Sequence, residues 1–169
     1  LMAILISPMI VPLIITAAGM FFFYSKIGLT HTYLGLILAH TALGTPFVVI
    51  TVTATLTGFD TNLIRASQSL GADTMRTFFK VIMPLILPGV ISGGLFAFIT
   101  SFDEVVIVMF IGSVEQITIP KQMWAGLRQE TSPVILCMAT CLVALSIALL
   151  TTVEMLRRRS ERLRGIKQR

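Results

Sequence analysis

Long apolar stretches dominate the chain and are separated by short polar connections. Each stretch reaches the length of about 20 residues that an α-helix needs to cross a membrane. Neither strand-like alternation nor the polar face of a soluble amphipathic helix interrupts them. The pattern predicts an all-α membrane protein, a polytopic helix bundle with four visible spans, at residues 2–24, 32–57, 84–112 and 132–154.

Composition agrees with membrane embedding. Hydrophobic residues make up 55% of the chain and charged residues 12%, and the mean hydropathy is +0.90. Soluble domains carry about 25% charged residues. The chain begins at Leu1 inside an apolar run, with no basic region or cleavage site before it, so we expect N-terminal truncation. Cys137 and Cys141 lie four residues apart, and we expect them to pack in the core rather than bind metal.

Lysine and arginine predict the orientation. Most of the 13 basic residues fall in the connection 60–83 and in the tail 157–169. By the positive-inside rule both segments are cytoplasmic, which places the C-terminus in the cytoplasm and the connection 112–131 outside. The net charge of +5 therefore indicates orientation rather than nucleic-acid binding, and the tail suits anionic lipid headgroups.

The connection 60–83 reads as two short helices. Asp60 or Thr61 can cap the first, and Gly71 suits the left-handed position that ends it. Asp73 can cap a second turn, and Pro84 would then open the third span.

Several large apolar side chains in this connection must be shielded from water. Periodicity alone leaves two alternatives open, burial in the lipid surface and burial against a partner protein. The side chains concerned are Leu63, Leu70, Met75, Phe78 and Phe79.

The same connection resembles the cytoplasmic "EAA" loop of permease subunits in ATP-binding-cassette (ABC) importers fed by a binding protein. That loop reads Glu-Ala-Ala, three residues, Gly, nine residues, Ile, any residue and Leu-Pro. The spacing from Gly to Pro is intact here, while Arg replaces the Glu and Ser the second Ala. The matching positions are Arg65, Ala66, Ser67, Gly71, Val81, Met83 and Pro84.

Other segments of the sequence resemble the spermidine/putrescine branch of these permeases. They comprise Ser-Phe-Asp-Glu-Val-Val at 101–106, Ile-Pro-Lys-Gln-Met-Trp-Ala-Gly-Leu-Arg at 119–128, Ser132-Pro133, and the upstream stretches 7–12 and 41–47. The resemblance covers essentially the whole chain. It implies a type I (MetI-like) permease fold with six spans, a bacterial inner-membrane location, and half of a pathway for a polyamine. Alternatives are another substrate, such as ferric ion, an opine or a sulfonate-like anion, or a secondary transporter or membrane anchor.

The resemblance also implies how the chain is driven. In that family the cytoplasmic loop docks on a separate ATPase. Closure of the ATPase then rocks the spans between inward-open and outward-open states. The chain has no phosphate-binding loop, so we expect no enzyme activity and no bound cofactor, with ATP hydrolysed by a partner. The implied partners are an ATPase dimer, a second homologous permease, an extracytoplasmic substrate-binding protein and membrane lipid. The coupling residues would be Arg65, Ala66, Ser67, Leu70, Gly71, Met75, Phe78, Phe79 and Pro84.

Asp103 and Glu104 interrupt the third apolar run. Charged groups within a span are costly and commonly face a cavity or a partner. With Phe102 they are candidates for a pathway that attracts a cation. The alternative is that they mark the end of the helix and pair with Lys121 or Arg128.

Two further features of the sequence carry predictions, one about a partner contact and one about helix packing. Lys121, Trp124 and Arg128 in the outer connection are candidates for contact with a binding protein, against the alternative of an ordinary capping loop. Small residues on the third span, including Gly89 and Gly93, predict close helix packing.

Overall fold

The computed structural model describes residues 2–129 and 133–163, and the regular structure in those ranges is helical. Within these ranges, three helical stretches are long and apolar enough to cross a membrane, and a bent pair near the N-terminus would make a fourth. The elements are α1 (Met2–Ile10), α2 (Leu13–Ile27), α3 (Tyr33–Thr57), α4 (Asn62–Ser69), α5 (Thr74–Thr77), a π-helical segment (Phe78–Ile82), α6 (Met83–Phe102), α7 (Val106–Ile111), α8 (Ile119–Gln129) and α9 (Pro133–Leu163).

The first apolar run forms two helices, so the single helix expected over 2–24 is corrected to a bent pair. The axes of α1 and α2 differ by 113°. Pro12 lies at the break, with φ −54 and ψ 132, and directly precedes α2. Proline lacks an amide N–H and disfavours helical backbone in the residue before it, which explains the bend.

The third apolar run, expected as one helix over 84–112, is shifted toward the N-terminus: its helix ends at Phe102, and α7 follows as a separate helix. α5, the π-helical segment and α6 form one helical stretch, Thr74–Phe102. The Met83 N–H donates to the Phe78 carbonyl, which is the i to i−5 spacing of a π turn. Pro84 follows at once, where a proline ring would crowd the carbonyl four residues earlier in an ordinary α-helix. Pro84 therefore lies inside a helix and does not open one.

α3 and α6 pack closely along their lengths, as the small residues of α6 predict. A Cβ added to Gly93 would lie 2.7 Å from the Val48 Cα, and one added to Gly44 would lie 2.9 Å from the Ala97 Cβ. A Cβ added to Gly89 would collide with the Thr55 side chain. The two backbones can approach this closely only because these positions lack side chains.

A smaller core joins α2, α3 and α7 at the other end of α3 from the connection 60–83. It contains Ala17, Tyr24, Ala39, Leu43, Ile107 and Ile111. His31, in the turn before α3, donates its backbone N–H to the Ile111 carbonyl at 2.8 Å. α9 adds little to this core, and both of its cysteines are exposed, so the expected core packing of Cys137 and Cys141 is wrong within this chain.

Candidate coupling surface and transmembrane cleft

The turn between α4 and α5 is a complete Schellman motif. Gly71 has φ +82, the left-handed conformation expected for it. Its N–H donates to the Gln68 carbonyl at 2.9 Å, and the Ala72 N–H donates to the Ser67 carbonyl at 3.0 Å. Residues 60–83, here named the coupling segment, are therefore folded back on themselves by backbone hydrogen bonds.

Side-chain hydrogen bonds fix both helices of the coupling segment. The Asp73 carboxylate accepts from the Arg76 N–H at 2.7 Å and caps α5, as expected. Asp60 accepts from the Asn62 N–H at 2.9 Å just before α4. Ser67 and Thr77 are buried between the helices, and their hydroxyl oxygens lie 2.9 Å apart. The paired hydroxyls hold α4 against α5.

The apolar side chains of the coupling segment remain on its surface. Leu70 is 89% exposed, Met75 65% and Phe79 58%. Leu63 and Phe78 are also exposed. The Phe78 and Phe79 rings meet edge to face, with centroids 5.1 Å apart. Large apolar groups held in fixed positions but left uncovered are typical of a surface that receives another molecule.

The structure brings most of the predicted coupling residues together in this segment. Arg65 and Ala66 are exposed on α4, whereas Ser67 is buried and serves the fold. Pro84 lies two residues past the π-helical segment and is also exposed. The predicted set therefore divides into an exposed surface and the buried hydroxyl pair that shapes it.

Replacing Ser67 by alanine should loosen this shape. The change leaves the buried Thr77 hydroxyl without the Ser67 oxygen, at a cost of about 1 kcal/mol. Hydrogen exchange of the α4 amides in detergent should accelerate about fivefold, the equivalent of that free energy. Ser69→Ala is the matched control, because the exposed Ser69 hydroxyl donates only to the Arg65 carbonyl of its own helix. Equal exchange rates in the two variants would contradict a bracing role for the hydroxyl pair.

A cleft of about 960 Å³ lies beside the α3–α6 pair, in the half away from the coupling segment. Its walls are the first part of α3, the end of α6 and the connection between α7 and α8. The α3 wall runs from Tyr33 to Val49, about 24 Å at the helical rise per residue. The residues that line the cleft include Tyr33, His40, Phe98, Ser101, Phe102 and Glu115.

The cleft is largely apolar, with a few polar groups on its walls. His40 Nδ1 and the Ser101 Oγ lie 2.9 Å apart and join α3 to α6. The Phe98 and Phe102 rings are stacked, with centroids 5.6 Å apart. An apolar wall with few polar groups is typical of a small-molecule site.

The two acidic residues at the end of α6 have different surroundings. The Glu104 side chain is 6% exposed, and its Oε1 accepts from the Ile107 N–H at 2.9 Å, at the start of α7. Asp103 is exposed, but it does not line the cleft, whereas Phe102 does. The geometry therefore gives Glu104 a helix-capping role.

The connection between α7 and α8 is held by side chains. The Lys121 Nζ donates to the Ser113 carbonyl at 3.0 Å and to the Gln116 carbonyl at 3.1 Å. Gln116 is buried, and its Oε1 accepts from the Ser113 N–H at 2.9 Å. Lys121 is thus engaged within the chain, and Trp124 on α8 is 46% exposed. The Arg128 side chain lies outside the described part of the structure.

Sequence reasoning missed three features of these sites. The hydroxyl pair depends on how α4 and α5 fold together, and no local pattern connects Ser67 with Thr77. Gln116 and Glu115 lie in a connection where the sequence indicated only the basic residues and the tryptophan as candidate functional residues. No local sequence pattern marked Glu115 as part of a cleft, because its place there depends on how the connection packs against α3 and α6.

Spanning helices around a cleft, with a folded apolar coupling segment at one end, define a polytopic membrane domain of the permease class. A match to a known protein family agrees with this class. Residues 1–162 match the family described as "Binding-protein-dependent transport system inner membrane component", and the chain belongs to this family. This is the family of inner-membrane permeases that the residues of the coupling segment indicated.

Two curated relatives are permeases of polyamine transport systems. The chain is 30% identical to the spermidine/putrescine transport system permease protein PotC of Haemophilus influenzae, over 90% of this chain and 59% of that protein. It is 28% identical to the putrescine transport system permease protein PotI of Escherichia coli, over 81% of this chain and 51% of that protein. The chain therefore spans somewhat more than half the length of these relatives.

A solved structure supports the fold. A chain of the methionine ABC transporter MetNI, in an inward-facing conformation, superposes with a TM-score of 0.73 at 22% identity. The match covers 94% of this chain and 72% of that chain. The expected type I, MetI-like permease fold is thereby confirmed.

Proposed function

We propose that this chain forms part of the transmembrane pathway of an ABC importer and is driven by a separate ATPase through the coupling segment. The observation that carries the proposal is the exposed apolar surface on a tightly hydrogen-bonded turn. A segment that served only to connect two spans would not need Leu70, Met75 and Phe79 held outward.

The cargo we propose is a polyamine, spermidine or putrescine. Support comes from the curated relatives, whose names specify these substrates. The cleft is compatible with such a cargo, because methylene chains suit apolar walls and ammonium groups suit aromatic faces. Phe98, Phe102 and Tyr33 supply such faces on two walls.

The remaining assignments follow from this proposal. The coupling segment and the C-terminal tail face the cytoplasm, as the concentration of basic residues indicates. The chain works with an ATPase dimer that hydrolyses the ATP, a second permease and an extracytoplasmic substrate-binding protein. It binds no cofactor itself, and the tail contacts anionic lipid.

Uptake of labelled putrescine tests the cargo. The full-length permease is expressed with its partner subunits in cells that lack their own polyamine importers. We expect ATP-dependent uptake that excess unlabelled spermidine reduces to background, because both cations would use one pathway. Excess ferric citrate should leave uptake unchanged. An assembled complex that imports neither polyamine would refute the cargo proposal.

A further inference from the structure

Glu115 is the charged group of the cleft. Among the described residues that line it, Glu115 is the one aspartate, glutamate, lysine or arginine. Its side chain is exposed, so an incoming solute can reach it. A carboxylate at the mouth of an apolar cleft attracts cations more strongly than it would in open water, because the walls exclude solvent.

The chain holds the Glu115 backbone in place. The neighbouring Gln116 side chain and the Lys121 ammonium both bond to backbone groups of the same connection. The Ile117 N–H also donates to the Glu115 carbonyl at 3.1 Å. The Lys121 ammonium donates hydrogen bonds to two backbone carbonyls, and Lys121 therefore acts as a positioning residue for this connection.

The aromatic residues that line the same cleft complete a site for an elongated cation. The stacked Phe98 and Phe102 rings line the α6 wall, and Tyr33 lines the start of α3. Aromatic faces attract ammonium groups, and the aliphatic wall between them suits methylene groups. The hydroxyl of Ser101, with His40, adds a polar group to the lining of the cleft.

The acidic residues at the end of α6 are not among the residues that line the cleft. Glu104 is buried and caps α7, and Asp103 lies outside the lining. We propose that Glu115 provides the anionic contact through which the cleft selects an alkylammonium cargo. This inference rests on the proposed function and adds the residue that recognises the cargo's charge.

Reconstitution in proteoliposomes tests the role of Glu115. The complex of the full-length permease with its second permease, its ATPase and its binding protein is supplied with putrescine, and both transport and ATP hydrolysis are measured. We expect Glu115→Gln to lower the putrescine transported per ATP hydrolysed about fivefold, the scale of one partly exposed charge contact. Glu115→Asp keeps the charge and should retain at least half of the ratio.

ATPase stimulation and the transport ratio together distinguish cargo recognition by Glu115 from contact with the binding protein. Stimulation of the ATPase by the loaded binding protein should persist in Glu115→Gln, because the substitution leaves the coupling segment intact. Loss of that stimulation would reassign Glu115 to binding-protein contact and overturn the inference. So would an unchanged transport ratio, or an equal loss in Glu115→Asp. If the unsubstituted complex transports no polyamine, the proposed cargo fails and this inference fails with it.

Discussion

Replacing Gly71 by arginine is expected to abolish co-purification of the ATPase with the permease while leaving the permease in the membrane. Gly71 has φ +82, and a non-glycine residue in this conformation costs about 1–2 kcal/mol. An added Cβ would meet no atom within 4 Å, so the new side chain projects outward rather than into the fold. It would stand beside Leu70, at the surface proposed for docking. We expect at least a tenfold loss of association, about 1.4 kcal/mol.

Gly28→Arg is the matched control for this variant. Gly28 also ends a helix in the left-handed conformation, at φ +70, and also has no atom within 4 Å of an added Cβ. It therefore imposes similar strain and the same side chain at a place away from the coupling segment. Retained ATPase in Gly28→Arg with loss in Gly71→Arg supports docking at the coupling segment. Normal co-purification with Gly71→Arg would refute it.

The parts of the coupling segment that the sequence predicted correctly are those set by neighbouring residues. A glycine after a helical stretch and an aspartate before the next one have strong local preferences, so Gly71 and Asp73 could be assigned without a structure. Their geometry matches those assignments. The four apolar runs were equally visible, because a membrane span is defined by its own length and composition.

Features that depend on how several segments pack together could not be predicted from local sequence preferences. Prolines are tolerated inside membrane helices, so the sequence did not show that Pro12 bends the chain while Pro84 is absorbed beside a π turn. The role of Glu104 likewise depends on where α7 begins. The lining of the cleft is set by how α3, α6 and the later connection come together, and Glu115 has no local signature of that arrangement.

The α3–α6 pair connects the two sites physically. α5, the π-helical segment and α6 form one helical stretch from the coupling segment to Phe102 in the cleft. Its close contact with α3 near Gly93 means that displacement of one helix must displace the other, because interfaces packed this closely shift between discrete arrangements rather than deforming gradually. The proposed ATPase could therefore act on the cleft through this pair without touching it.

Gly93→Leu should consequently destabilise the permease strongly. An added Cβ would lie 2.7 Å from the Val48 Cα and would also collide with the Thr51 hydroxyl, so the α3 backbone itself must move. We expect a cost of about 3 kcal/mol, at the upper end for overpacking. The measurement is thermal unfolding of the detergent-solubilised full-length permease, in which Gly93→Leu should lower the midpoint by several degrees or prevent purification.

Gly94→Leu provides the control from the next position on the same helix. Gly94 is exposed, and an added Cβ there meets no atom within 4 Å. Leucine also has a higher helix propensity than glycine, so this variant should be as stable as the unsubstituted protein or slightly more so. The two variants add the same apolar volume to the same helix, and only the face differs. Similar midpoints for both would show that α3 and α6 do not pack through Gly93, and would remove the physical link between the coupling segment and the cleft.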